Sequence, residues 1–175
     1  IAAVEWAMAN NSNVFLVAQK EMETSEPTQQ DLYTYGVVAE VKQVLRVSDE
    51  LVKVLVEGKS RAKLLDLDAS GKYLQADVRP APVRGVAPDK RTQTEALVRS
   101  LKECFEEYLS YSPQISKDVV YNIVSSDNPL YLSEYMPANL LLKYEDKQTI
   151  LQENSIPSRL EKLLLVMRQE CEVLA

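Results

Sequence analysis

The chain has 175 residues, 46% of them apolar, enough for one domain or two small lobes with a real core. A net charge of −6 without any cluster of Lys or Arg argues against a nucleic-acid backbone as partner, because such binding rests on neutralising phosphates. No apolar run approaches the ~20 residues that span a bilayer, no basic N-terminal region leads into an apolar one, and zero histidines with two cysteines argue against a transition-metal site.

Ile1, Val4, Ala7 and Met8 recur at helical spacing, and the pattern stops at Asn10 and Asn11. It starts at Ile1 and not at a Met, so the chain reads as an excised piece. Residues 14–18 are an apolar run of strand length. Residues 19–31 are polar, include Pro27 and lack an apolar period, which predicts a loop of the length that often carries binding. An antiparallel meander is predicted over 31–67. Val37, Ala39, Val41, Leu45 and Val47 share one strand face, with Glu40, Lys42 and Arg46 on the other. Gln43 on the inward register and Val44 on the outward one predict a bulge. Ser48, Asp49 and Glu50 make a turn, and Val52, Val54 and Val56 a second strand. Gly58 allows a second turn or bulge before a third strand over 61–67. After a turn at 68–72, a further strand over 73–79 ends at Pro80 and Pro82.

Composition changes at 80–89, where three prolines and one glycine fall together, and beyond it no strand pattern recurs. This predicts a β-rich lobe over 1–84 and a helical lobe over 85–175. Thr92 and Glu95 have capping-box spacing ahead of Leu97, Leu101, Cys104, Phe105 and Tyr108, a long helix ending at Pro113. A shorter helix covers 116–124. Asp127, Asn128 and Pro129 cap the next, which Pro137 should interrupt with a kink near 133–136. A short helix over 144–152 precedes the last, opened by Ser158 and Glu161. There Leu160, Leu164, Met167, Cys171 and Leu174 are spaced four, three, four and three, a heptad seam that packs within the lobe or serves oligomerisation. The seam runs to Ala175 without a stop signal, so the helix is expected to continue beyond it. Cys104 and Cys171 lie on apolar helix sides, which predicts buried thiols in a reducing compartment. The fold class expected is α+β: an open antiparallel sheet or pseudo-barrel with a short helix, then a helical bundle ending in a long helix.

Ser60 and Lys63 match an SxxK spacing, but on a strand they point to opposite faces, so no catalytic pair is expected. Asp66, Asp68, Ser70, Gly71 and Asp77 imitate a calcium loop. They lack its bidentate Glu and its helical flanks, and a polar hairpin turn accounts for them. None of the four glycines begins a GxxxxGK[ST] phosphate loop. Clusters of Met and aromatics suit the reception of varied unfolded chains, since such side chains adapt their packing. Met22, Tyr33 and Tyr35 form one such candidate around the polar loop, and Tyr131, Leu132, Tyr135 and Met136 another around the expected kink. The competing reading, and the favoured one, is that these residues are lobe core or the seam between lobes.

The run FLVAQKEMETSEPTQQDLYTYGVVAEVKQVLRVSDELVKVLVEGKSRAKLL resembles the N-terminal domain of the ATP-dependent protease Lon, and LLLKYEDKQTILQENSIPSRLEKLLLVMRQECEVL resembles the segment that ends its helical lobe. The resemblance implies a PUA-like β lobe and a helical bundle that receive unfolded or degron-bearing proteins in a cytoplasmic homo-hexameric serine protease. It implies no catalytic residue and no cofactor in this piece. The Ser and Lys dyad and the ATPase with its ATP and Mg would lie downstream. The piece itself should be mostly monomer or a weak dimer, without nucleic acid or membrane. Two departures stand out: the family's first apolar strand and proline-rich loop are missing, and Pro137 is unusual. Without that first strand, residues 37–47 or their neighbour should lie at an open sheet edge. A stand-alone adaptor built on the same domain is the alternative, and a PUA-like RNA binder a further one that the acidic balance opposes.

Overall fold

The computed structural model describes residues 1–112 and 114–175, and the chain divides into two compact units, Ile1–Pro82 and Val83–Ala175. The division falls two residues ahead of the 84/85 position expected. Arg84 accounts for the difference, because its N–H donates to the Asn154 carbonyl at 2.9 Å and its carbonyl accepts from Ile156 at 3.1 Å, both in the helical unit.

The first unit contains α1 (Ala2–Ala9), β1 (Asn13–Leu16), β2 (Tyr35–Arg46), β3 (Val52–Asp68) and β4 (Gln75–Pro80). The strands form one open antiparallel sheet in the order β1-β2-β3-β4. α1 ends where the asparagines predict: Asn11 takes a left-handed φ of 49°, which lets the Ser12 N–H return to the Ala7 carbonyl at 2.8 Å. The buried side chains are small or branched, namely Ala7, Leu32, Ala39, Val41, Ala62 and Leu64. Gly36 is needed for close approach, since a Cβ there would stand 2.3 Å from the Leu16 carbonyl oxygen and 2.8 Å from the Phe15 ring.

Two bulges in the β2–β3 pair break the regular meander. Val41 opposes Val56 while Gln43 opposes Leu55, so Lys42 is the extra residue at the bulge expected near Gln43. One extra residue reverses the faces beyond it. Val44 is therefore half-buried, and Leu45 and Val47, expected inside, are exposed. The second falls beside Gly58, where the sequence allows a turn or a bulge, and it is the bulge that forms. β3 runs unbroken past Gly58, with Val38 opposite Ser60 and Ala39 opposite Gly58, leaving Lys59 as the extra residue. Residues 61–67 thus continue the second strand of the meander and do not return as a third. Of the two places expected for the open edge, it is the neighbour that holds it: β1 pairs with β2 over Val37–Glu40, and β1 and β4 are the outer strands.

The second unit packs α2 (Arg91–Tyr111), α3 (Lys117–Ser125), α4 (Pro129–Asn139), α5 (Tyr144–Leu151) and α6 (Ile156–Leu174) around one core. Leu101, Phe105, Ile123, Leu132, Met136 and Leu163 are among its fully buried side chains. Asn128 caps α4 as expected, accepting from Tyr131, with Pro129 in the first turn, and Ser116, expected as the first residue of α3, is its cap and accepts from Val119. Other expected boundaries move. Thr92 and Glu95 form no capping box, because a 3-10 turn at Pro88–Lys90 leads straight into α2 and Lys90 holds the N-cap. α2 is described to Tyr111; its expected stop, Pro113, lies outside the described residues. α6 opens a turn earlier than Ser158, capped by Ser155 with Pro157 in its first turn. Pro137 does not interrupt α4, which continues to Asn139 with the Leu140 N–H bonded to the Met136 carbonyl at 3.0 Å. In the last turn a proline forfeits one ladder bond, to Ser133, and little helix remains to be broken.

Candidate functional site

Helix α4 carries the residues expected to meet substrate, and its period sorts them. Leu132 and Met136, one turn apart, are 0% exposed in the core of the helical unit. Tyr131 and Tyr135, shifted by one residue, lie on a different stripe, with rings 5.0 Å apart and inclined at 16°. The Tyr135 hydroxyl accepts from Asn122 Nδ2 at 2.9 Å, which ties α4 to α3. Tyr131 keeps 37% of its surface, and burial of its hydroxyl together with the neighbouring Tyr135 raises its pKa. The expected cluster is thus two things: an exposed tyrosine on a stacked support, and two core residues with no surface to offer a ligand.

Sequence reasoning missed the neighbours that complete this corner. Tyr121 is 72% exposed on α3, with Val124 at 48% one turn on, and Leu130 at 37% precedes Tyr131 on α4. Tyr121 had a usable signal, since it stands off the stripe formed by Val119, Val120 and Ile123 that packs into the core. Lys102 of α2 fixes the connection between α3 and α4, donating from Nζ to the Val124 carbonyl at 3.0 Å and to Asp127 Oδ1 at 2.6 Å. These exposed apolar side chains stand on two helices joined by the Lys102 bonds and by the Asn122–Tyr135 bond.

The loop candidates in the first unit also separate. A bridge between Gln19 and Leu32 closes the base of the loop, and Gln19 Nε2 donates to the Thr24 carbonyl at 2.8 Å across it. Thr28 donates from its N–H and its hydroxyl to Asp31 Oδ2 at 2.8 and 2.7 Å, which lowers the Asp31 pKa. Met22 projects from this braced loop with 77% of its surface exposed. Tyr33 and Tyr35 are half-buried at the loop base and the start of β2, and the Arg61 guanidinium sits over the Tyr35 ring, 4.7 Å from its centroid. That ring face holds a cation already.

The heptad seam of α6 faces its own unit. Leu160, Leu164, Met167 and Cys171 are buried in the core, and Leu174 alone of the five is exposed. Cys104 and Cys171 are free thiols, with Cys171 Sγ 3.9 Å from the Cys104 carbonyl. Asp68 Oδ1 accepts from the Ser70 N–H at 2.8 Å, a local turn bond, and among the described residues no three His, Cys, Asp or Glu side chains gather to hold a metal. No described helix is long and apolar enough to cross a membrane.

A short helix, an open antiparallel sheet and a helical unit closing on a long helix give an α+β domain of the Lon N-terminal fold. The N-terminal domain of Mycobacterium avium complex Lon protease shares that fold at a TM-score of 0.72 and 18% identity, over 95% of this chain and 83% of the other. A Lon N-terminal domain protein from Xanthomonas campestris is similar at 0.52 and 15%, over 94% and 81%. Sequence relatives go further than fold. Lon protease of Desulforamulus reducens is 38% identical over 173 residues, and that of Escherichia coli K12 is 37% identical over 174. Residues 1–169 match the ATP-dependent protease La (LON) substrate-binding domain, and the chain belongs to that family. The matches cover 99% of this chain but only 21% and 22% of those two relatives.

Proposed function

We propose that the chain receives unfolded or degron-bearing polypeptide for an ATP-dependent serine endopeptidase that degrades misfolded and regulatory proteins. The observation that carries this reading is the corner of Tyr121, Val124, Leu130 and Tyr131, apolar and exposed on helices whose other faces are locked into a core. Exposed aromatics held by rigid helices offer contact area at small entropic cost, which suits a surface that must accept many sequences. Met22 is a second contact point, on a loop braced at its base. Leu132 and Met136 support the corner from beneath, and Tyr33 and Tyr35 brace the loop side.

Peptide-bond cleavage, and ATP use with Mg, belong in this reading to the remainder of a longer protein acting as a homo-hexamer in the cytoplasm. One module binds weakly, and several copies held together gain affinity by avidity. Leu160, Leu164, Met167 and Cys171 act in this reading as core, leaving Leu174 and the end of α6 for assembly contacts.

Binding of a reduced, carboxymethylated protein to the chain, read by fluorescence anisotropy, tests the assignment. Tyr121→Ala with Tyr131→Ala should weaken binding by about tenfold, as loss of exposed aromatic anchors does at other interfaces. A loss no larger than that of Leu141→Ala, an exposed leucine outside the corner, would contradict it.

A further inference from the structure

Beside the apolar corner, the helical unit has an open cleft of about 600 Å³. Thr94 and Val98 of α2, both buried, line it together with Asp127 and Pro129. Three cations line it, Arg91, Arg99 and Lys102, against two carboxylates, Glu95 and Asp127. Lys102 and Asp127 are spent on each other at 2.6 Å. Arg91 and Arg99 are exposed, and neither guanidinium forms a hydrogen bond or ion pair with another described residue. The two sit eight residues apart on α2, on one side of the helix, with Glu95 midway. In a chain of net charge −6, a cleft with surplus positive charge and two idle guanidiniums is a departure from the rest of the surface.

The cleft and the corner are continuous in the chain. Pro129 lines the cleft, and the next two residues, Leu130 and Tyr131, are the exposed apolar side chains of α4. Lys102 holds the two together through Val124 and Asp127. A polypeptide whose apolar side chain rests on the corner therefore carries its neighbouring residues over the cleft. Guanidiniums bind carboxylates through paired, charge-assisted hydrogen bonds, a geometry that amide or hydroxyl side chains do not match.

We infer that this cleft binds carboxylates, so that the module prefers polypeptide segments in which Asp or Glu follows or precedes an aromatic or aliphatic residue. The inference rests on the polypeptide-receiving reading and adds a chemical preference to it. The test uses the whole chain and two fluorescein-labelled, unstructured peptides, identical in a central Tyr-Leu pair and differing in flanking Glu or Gln. The acidic peptide should bind about tenfold more tightly at low salt, with the ratio falling as salt rises. In Arg91→Gln with Arg99→Gln, whose side chains are exposed and hold no other described residue, the ratio of acidic to neutral affinity should fall to about one. Arg91→Glu with Arg99→Glu should reverse it, so that a peptide with flanking Lys binds best. Equal binding of the Glu and Gln peptides by the unaltered chain would overturn the inference while leaving the apolar corner standing. So would a preference that survives the double Gln substitution. Failure of both peptides to bind would take down the inference and the reading beneath it together.

Discussion

At the scale of single residues, α4 shows what an exposed position and a buried one each contribute. Leu132→Ala would leave a void where the side chain is 0% exposed, and the expected loss is about 3 kcal/mol in urea unfolding. Tyr121→Ala, at the surface, should change stability by less than about 0.5 kcal/mol while weakening binding. The spacing of α4 already shows two stripes, 131 with 135 and 132 with 136. It does not say which stripe faces inward, because that depends on the helices packed across from it, and both stripes are aromatic or aliphatic. The cysteines were easier to read, since both fall on apolar stripes whose other members are unambiguous. Burial, with Cys171 close by, pushes the Cys104 thiol up to about 12, and burial raises Cys171 as well. Thiolate is the reactive form, so iodoacetamide at mildly alkaline pH should label neither cysteine in the native chain and both in denaturant. Raised thiol pKa values also mean that the native state resists ionisation. Stability should hold below the ordinary thiol value of 9.0 and decline as pH climbs towards 12.

At the scale of elements, the bulges of the β2–β3 pair do more than bend it. Each inserts a lysine, and the two lysines reach the same two carboxylates: Lys42 meets Glu40 and Glu57 at 2.7 and 2.9 Å, and Lys59 meets them at 2.8 and 3.1 Å. Bonds from Lys42 and Lys59 hold the Glu40 carboxyl down at about 2 and lower Glu57 too. A depressed carboxylate stabilises fully above its ordinary value of 4.5, and its contribution fades as pH falls through about 2. The urea midpoint should drop across that window, and Glu40→Gln should flatten part of the drop. A variant with an unchanged acid limb would show that the network does not couple to folding. Gly36 makes a separate prediction. Gly36→Ala would press a methyl on the Leu16 carbonyl oxygen, so β1 should loosen, with a cost of about 1–3 kcal/mol and faster amide exchange at Asn13–Leu16. Alternation along 37–47 revealed that a strand was present and that it was broken near Gln43. It could not follow the faces beyond the break, because one inserted residue inverts every later assignment. Gly58 allowed either a turn or a bulge, and sequence alone did not choose between them; the strand runs on with a bulge at Lys59.

At the scale of the whole molecule, the fold class and the family were legible because long stretches of sequence resemble one family, and local signals of caps, prolines and periods agree with it. The candidate binding surface was only half legible. Apolar side chains at a surface and in a core look alike in sequence, and the division between them is made by packing over long distances. The α6 seam illustrates this, since its heptad spacing suits self-association, yet four of its five residues close the helical unit's own core. Light scattering of the chain should accordingly give a monomer, and a stable dimer abolished by Leu160→Ala would show that the seam pairs between copies. In the proposed function polypeptide is received at the α3–α4 corner of the helical unit, and Met22 is a separate contact point in the first unit. Photo-crosslinking tests it most directly: an unfolded protein carrying benzophenone groups is irradiated with the chain, and the labelled residues are mapped. Labels concentrated at Tyr121, Leu130, Tyr131 and Met22 are the expected result; labels spread equally over other exposed apolar residues such as Leu55, Leu141 and Val173 would contradict it.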